Sequence, residues 1–349
     1  MKLETRKLWD GYSQRQAELN GVPAHHVTKH FAIAPSVSQK LEDKVQQSSE
    51  FLKQVNILPV SEQEGEKLGL GISGPVASSN STSTTRREPR SVHSLDSDKY
   101  RCEQTNYDTF ISYPQLDMWS KFPDFQQRIA NQIIQRRALD RIMIGFNGKS
   151  RAEKSDLAAN PLLQDVNIGW LQKYRNNAKQ RVMSGVSLTS RDESNKIVAK
   201  GTYSSLDALV YDATTSLLDE WFKSSPDLVV ITGRNIMTAR EFPLINGISS
   251  NNPNSEALAA ELIVSRKSIG NMPTLIAPYF PDGSLFITSL RNLSVYWQEE
   301  KQRRMLKDEP EYNRVATYES SNDAFVVEDY GYGCLIENIT WAKPAAGGA

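Results

Sequence analysis

DFQQRIANQIIQRRALDRIMIGFNG, residues 124–148, is the stretch around which the rest of the chain can be organised. Phe125, Ile129, Ile133, Ile134, Leu139, Ile142 and Met143 recur in it at helical spacing, and Asn147-Gly148 offers a pair that leaves the helical conformation easily. The spacing predicts one long amphipathic helix from Asp124 to Phe146. Each such side chain contributes about 1.5–3 kcal/mol when fully buried, so this helix needs a large partner surface and reads as the spine of a domain.

Towards the N-terminus the pattern changes three times. Residues 3–19 read as a short helix with Leu3, Lys7, Tyr12 and Leu19 along its apolar edge, ended by Asn20-Gly21. Val22 to Pro35 shows no helical or strand period, so extended, accessible backbone is expected there. A second helix is predicted over 37–55, with Ser36 as N-cap because Gln39 stands three residues on, and with a polar face dense enough for a surface helix. From Ile57 the composition turns to β-branched residues and glycines. Residues 60–113 read as a long two-stranded excursion, and seven of the eight residues 78–85 are Ser or Thr, too polar for a core and suited to a mobile tip. A hairpin alone is marginal in water, so the arm is expected to lie on a neighbouring subunit.

Towards the C-terminus, Leu206 to Phe222 reads as an amphipathic helix behind a Ser204-Ser205 cap, with Trp221 on its apolar face. DLVVITG (227–233) reads as a buried strand, followed by helices at 235–245 and 256–267 around the polar loop SSNNPNS, then strands LIAPYF and SLFITSL. The alternation between about 203 and 290 predicts a compact α/β module. From Arg314 to Trp341 strand composition returns in FVVEDY and CLIENI, and PAAGGA closes the chain as a tail expected to be disordered.

The composition narrows the function. Lys plus Arg is 41 and Asp plus Glu is 41 in 349 residues, so no net field draws the chain to nucleic acid or membrane. No apolar run approaches the roughly 20 residues of a membrane span, and charges interrupt the first 19 residues too often for a secretory signal. Cys102 and Cys334 lie too far apart in sequence for a metal or redox motif, which fits a reducing compartment.

No catalytic, cofactor or metal constellation emerges. Gly69, Gly71 and Gly74 match the dinucleotide fingerprint GxGxxG, but Pro75 and the Ser/Thr tract follow where a helix must begin, so glycine-rich β structure is the better reading. Gly148-Lys149-Ser150 ends like a P-loop, yet Met143 occupies the position of its first glycine. All four histidines, His25, His26, His30 and His93, fall in arm or loop segments, which leaves a histidine-dependent nucleophile without a rigid support. Glu319 with Asp323, and Glu328 with Asp329, are pairs too generic to distinguish an active site from solvated sheet edges. Arg86-Arg87, Arg136-Arg137 and Lys301 to Arg304 are each balanced by nearby acids, and ion pairs between chains explain them at least as well as phosphate contacts.

The order of parts resembles the HK97-like fold of tailed-phage capsid proteins, an α+β class with N-arm, extended hairpin (E-loop), peripheral domain with spine helix and α/β axial domain. The sequence is similar nearly end to end to the major capsid proteins of P2-type temperate phages. The resemblance is carried by ETRKLWDGYSQRQAELNGV, SSEFLKQVNILPVSEQEGEKLGLGISG, DKYRCEQTNYDTFISYPQLDMWSKFPDFQQRIANQIIQRRALDRIMIGFNG, NPLLQDVNIGWLQKYRN, SLDALVYDA, PDLVVITGR and VVEDYGYGCLIENI. It implies a propiece at 1–31 that engages an internal scaffold and is cut near His30, Phe31 and Ala32. It further implies an N-arm at 32–60, an E-loop at 61–113, a peripheral domain at 114–202 and an axial domain at 203–312. C-terminal strands at 313–341 would return to the peripheral domain, with 342–349 as the tail. The partners implied are copies of the chain in hexamers and pentamers, the scaffold or protease, a portal and packaged double-stranded DNA without sequence-specific contact; no membrane is implied. Assembly in the bacterial cytoplasm and residence in the virion follow. Other relatives of this fold form cellular compartments, the alternative reading, with a nucleotide-binding enzyme using Gly69, Gly71 and Gly74 as the remote one.

Overall fold

The computed structural model describes residues 1–72, 93–122, 124–191, 196–246 and 268–343. Among these, the helices in chain order are α1 (Leu3–Asn20), α2 (Pro35–Gln47), α3 (Tyr113–Trp119), α4 (Phe125–Asn147), α5 (Trp170–Asn177), α6 (Leu206–Leu217) and α7 (Arg234–Asn246). The predicted spine is thus present as α4, and the amide of Gly148 closes it on the Ile144 carbonyl at 2.7 Å. Residues 141–148 are buried all round, so the helix runs into the protein interior instead of lying on it.

Two sheets flank that buried end. The first is built on the strand Arg314–Val327, which pairs antiparallel with Leu293–Gln298, Arg303–Glu309, Glu103–Asn106 and Thr109–Ser112. Asn56–Val60 adds parallel beside Leu293–Gln298, and Phe31–Ala32 forms an edge beside Arg303–Glu309. The second sheet is built on Leu228–Thr232, parallel to Met272–Ile276 and antiparallel to Leu285–Ser289, with Gly333–Glu337 and then Val182–Ser184 beyond. Its inner strands, Leu228–Thr232, Leu285–Ser289 and Gly333–Glu337, are largely buried on both faces, as a continuous apolar run requires. Val230, Ile287 and Ile336 pack with Leu209 and Val210 of α6, whereas Ile231, Phe286 and Leu335 join the cluster of α4, Trp170 and Phe325. Strand alternation therefore gives each face of one sheet its own core.

Several expectations change in three dimensions. On α1 the buried residues are Thr5, Ala17 and Asn20, with Trp9 and Tyr12 packed beside them, while Leu3 is 74% exposed; the two aromatic rings select the face. The backbone over 22–35 is held: Ala24–His26 is a short 3-10 turn and Phe31–Ala32 is paired. Helix α2 begins with Pro35 at its first position and no side-chain cap from Ser36, and it ends at Gln47, where Ser48 Oγ donates to the Val45 carbonyl at 2.7 Å. Nor is α2 merely a surface helix, since Ser38, Glu42 and Val45 are buried against the chain's own body. Helix α6 has the Ser205 cap, which accepts from the Ala208 amide, but it stops at Leu217 because Leu218 is extended; Trp221 is left 61% exposed.

The excursion is an antiparallel pair, Glu64–Ile72 with His93–Arg101. It closes at Arg101, not at 113, because 103–112 supplies two strands to the first sheet. The strands at 293–309, expected within 203–312 as part of the α/β module, also belong to the first sheet. Of the C-terminal strands, Arg314–Val327 lies in the first sheet and Gly333–Glu337 joins the second. The Ser/Thr tract 78–85, the loop SSNNPNS, the helix expected at 256–267 and the tail from Pro344 lie outside the described residues.

Candidate functional site

Arg137 and Arg141 stand one turn apart on α4 and share a face with Ala138 and Ile142, so the helix carries two guanidiniums into the interior. Arg141 is 0% exposed and Glu42 of α2 is 2% exposed. The Glu42 carboxylate accepts from Arg137 Nη2 at 3.0 Å, from Arg141 Nη1 and from Gln302 Nε2. Asp323, in the central strand of the first sheet, accepts from Arg141 Nε at 3.3 Å and Nη2 at 3.2 Å, from Tyr107 Oη at 3.2 Å and from Ser321 Oγ at 3.0 Å. The Tyr107 ring lies 4.5 Å from the Arg137 guanidinium.

Two cations and two carboxylates cancel, which is what allows all four to be buried. Burial pushes the Glu42 carboxyl up, but Arg141 and then Arg137 outweigh it and hold it below its ordinary range. Burial likewise works against the charge on Arg141, and Asp323 and Glu42 hold its pKa above the usual value. The cluster is a buried ion-pair joint. It fixes α2, the spine helix, the central strand and the 103–112 return against one another.

A second joint is steric. A Cβ on Gly145 would stand 2.2 Å from the Trp170 ring, and one on Gly169 would stand 2.3 Å from the Ile144 carbonyl. Missing side chains therefore let the start of α5 sit directly on the end of α4, where Trp170 Nε1 donates to the Ser294 carbonyl at 3.0 Å.

The residues singled out by sequence fall elsewhere. His30 and Ala32 are exposed, but Phe31 is only 8% exposed and packs with Ala17, Val27 and Leu306. Phe31 and Ala32 pair with Arg304 and Arg303, and the Ile33 amide donates to the Gln302 carbonyl at 2.9 Å. Gly69 and Gly71 are ladder residues opposite Asp96 and Ser94, not a phosphate loop; Gly74 lies outside the described residues. The amides of Lys149 and Ser150 both donate to the Gln164 carbonyl, at 2.7 and 3.1 Å. Among the described residues no group of three or more His, Cys, Asp or Glu is placed to hold a metal. Both cysteines are buried and unpaired, and burial pushes the Cys102 thiol up to about 12, away from reactive thiolate.

Three members of the basic clusters are paired within the chain. Arg136 pairs with Asp140 at 2.7 Å, Arg137 with Glu42, and Arg304 with Glu319 at 2.8 Å; Arg86 and Arg87 lie outside the described residues. Of the acidic pairs the sequence left open, Asp323 is buried and accepts from Arg141, and Glu328 accepts from Tyr296 Oη at 2.9 Å. Sequence reasoning missed Glu42 and Arg141, and singled out Asp323 without its buried partner. The one signal that could have found them is a charge at i and i+4 inside the apolar stripe of α4.

A buried spine helix between two sheets, with a projecting hairpin and an N-terminal arm, is the frame of the HK97-like capsid proteins. The capsid subunit of an empty GTA particle shares that fold, with a TM-score of 0.54 over 84% of this chain and 90% of that one at 12% identity. The chain itself belongs to the phage major capsid proteins of the P2 family, whose profile matches residues 8–339. The major capsid protein of Serratia phage KSP20 is 51% identical over 344 residues, 99% of each chain. The capsid proteins of Escherichia phage P2 are 48% identical over 343 residues, covering 97% of this chain and 95% of theirs. Among solved structures, a chain of the satellite phage P4 procapsid including size determination (Sid) protein superposes with a TM-score of 0.76 at 43% identity, over 99% of this chain and 100% of that one.

Proposed function

We propose that the chain is the shell subunit of a phage head, assembling with copies of itself as hexamers and pentamers around an internal scaffold and enclosing double-stranded DNA delivered through a portal. The observation that carries this is the family match along 8–339, with about half of all residues identical to capsid proteins over essentially the whole length. The physical design supports it. Weak contacts through arm, hairpin and sheet edges are summed by closed symmetry, so each can be modest while the particle persists. A net charge of zero suits a container whose inner wall has no reason to grip its DNA. In this reading the subunit is a structural protein and not an enzyme, and it resides in the virion after assembly in the host cytoplasm.

The parts take roles accordingly. Residues 1–31 are a removable scaffold-engaging segment, 32–60 the N-arm, and the paired strands within 64–101 the E-loop that reaches over a neighbour. The first sheet with α4 forms the peripheral part, and the second sheet with α6 and α7 forms the axial part. The cut is placed at His30, Phe31 and Ala32. Because Phe31 is packed and its strand is paired, the cut waits for release of this short edge strand. Electron microscopy of the chain expressed with and without its scaffold tests assembly: closed shells are expected with scaffold, and a chain that stays monomeric in both by light scattering refutes the reading. Mass spectrometry of DNA-filled heads tests the cut, since subunits still beginning at Met1 or Lys2 exclude it.

A further inference from the structure

Between α1 and the rest of the subunit lies a cavity of about 170 Å³ that the joints above do not use. Trp9 and Tyr12 of α1 line it on one side, and Ile133 and Ile134 of α4, Leu116 of α3 and Val315 of the first sheet line the other. We propose that this cavity binds a small neutral molecule with an apolar body and one hydrogen-bond-accepting tip, about the size of an alkylphenol, and that occupancy fastens α1 to the subunit.

Size sets the first limit. An apolar cavity of about 150 Å³ is known to hold benzene, so the space here takes a ring with a short alkyl group and excludes cage-sized bodies. Charge sets the second. The charged groups on the wall are Arg137, Arg304 and Glu319, and each cation already has a carboxylate: Glu42 for Arg137 at 3.0 Å and Glu319 for Arg304 at 2.8 Å. An ionic ligand would enter with no uncompensated partner, which favours a neutral one. The third limit is the tip. Arg137 is 4% exposed, and the Nε–H groups of both Arg137 and Arg304 are buried without an acceptor. A hydroxyl or carbonyl oxygen supplies what these walls lack.

The consequence follows from the walls belonging to different segments. A ligand that touches α1 and the body together binds only while α1 is seated, so it shifts the seated and released states by mass action. The inference does not rest on the shell reading, because it concerns the isolated subunit.

The test uses the purified full-length chain with 4-propylphenol. A saturable rise in melting temperature is expected, with slower amide exchange confined to residues 3–20 and its neighbours in the cavity wall. Exchange through release of α1 should slow by the factor 1 + [L]/Kd, about a hundredfold at a hundred times Kd. 4-(1-Adamantyl)phenol, too bulky for the space, should give no protection, and Ala130→Phe, at another lining position, should abolish the effect of 4-propylphenol. Non-saturable shifts, protection that spares 3–20, or equal protection by the adamantyl compound overturns the proposal. The size comparison on the unaltered chain decides the matter even if Ala130→Phe fails to fold.

Discussion

Changing Glu42 to Gln keeps the shape of the side chain and removes one negative charge from the buried joint between α2 and α4. Arg141 retains Asp323, but Arg137 loses its carboxylate, and the cluster goes from neutral to one buried positive charge. Breaking a buried pair by removing one partner costs about 3–5 kcal/mol, a large part of the roughly 5–15 kcal/mol that holds an ordinary domain folded. The remedy is specific: Glu42→Gln with Arg137→Met restores neutrality while Arg141–Asp323 stays intact, so the double variant should recover a substantial share of that loss. Urea unfolding followed by circular dichroism and by tryptophan fluorescence measures all three proteins. The acid limb gives an independent signature. Because the folded Glu42 pKa is depressed, its stabilisation is complete above the ordinary carboxylate range and is lost as pH falls through the lower folded value. The difference between the unaltered chain and Glu42→Gln should therefore narrow below about pH 4. A Glu42→Gln loss under about 1 kcal/mol, or a double variant less stable than the single one, refutes the reasoning.

Gly145→Ala sets helix propensity, worth up to about 1 kcal/mol in favour, against overpacking of about 1–3 kcal/mol. With the new Cβ 2.2 Å from the Trp170 ring, the clash should win, and both the urea midpoint and the tryptophan emission should shift. Deleting residues 1–31 should leave a cooperatively unfolding body, because the two main cores draw no residue from that segment, while α1's share of the helical dichroism disappears and dye binding rises as Leu306 and Val315 lose Phe31 and Trp9. The Glu309 carboxyl, held at about 2 by hydrogen bonds from Arg314 and Tyr318, should keep its ionised carbon chemical shift by NMR until the pH falls to that value, well after exposed carboxylates have titrated.

The long helix, the cap at Ser205, the buried strand at Leu228–Thr232 and the paired arm were legible because each is encoded within a few residues: a period, a hydroxyl, an apolar run, a change of composition. The failed readings share a cause. The face of α1, the end of α2 and the exposure of Trp221 depend on what lies opposite, and a local pattern does not name its partner. Leu3 and Leu19, placed on the apolar edge, stand in solvent, whereas the polar Thr5 and Asn20 are buried.

The joint that organises the subunit shows the division most sharply. The sequence by itself determined that the chain folds around one spine helix, that no catalytic motif is spelled out along it, and, through long strings of similarity, which family it belongs to. Only the tertiary structure decided that Glu42, Arg141 and Asp323 meet, that 103–112 closes the first sheet, and that Gly333–Glu337 crosses to the second. Glu42 is separated from Arg141 by 99 residues and Arg141 from Asp323 by 182. A charge read along the chain appears solvated; once three elements pack, desolvation makes an unpaired charge so costly that only an arrangement matching each cation to a carboxylate survives.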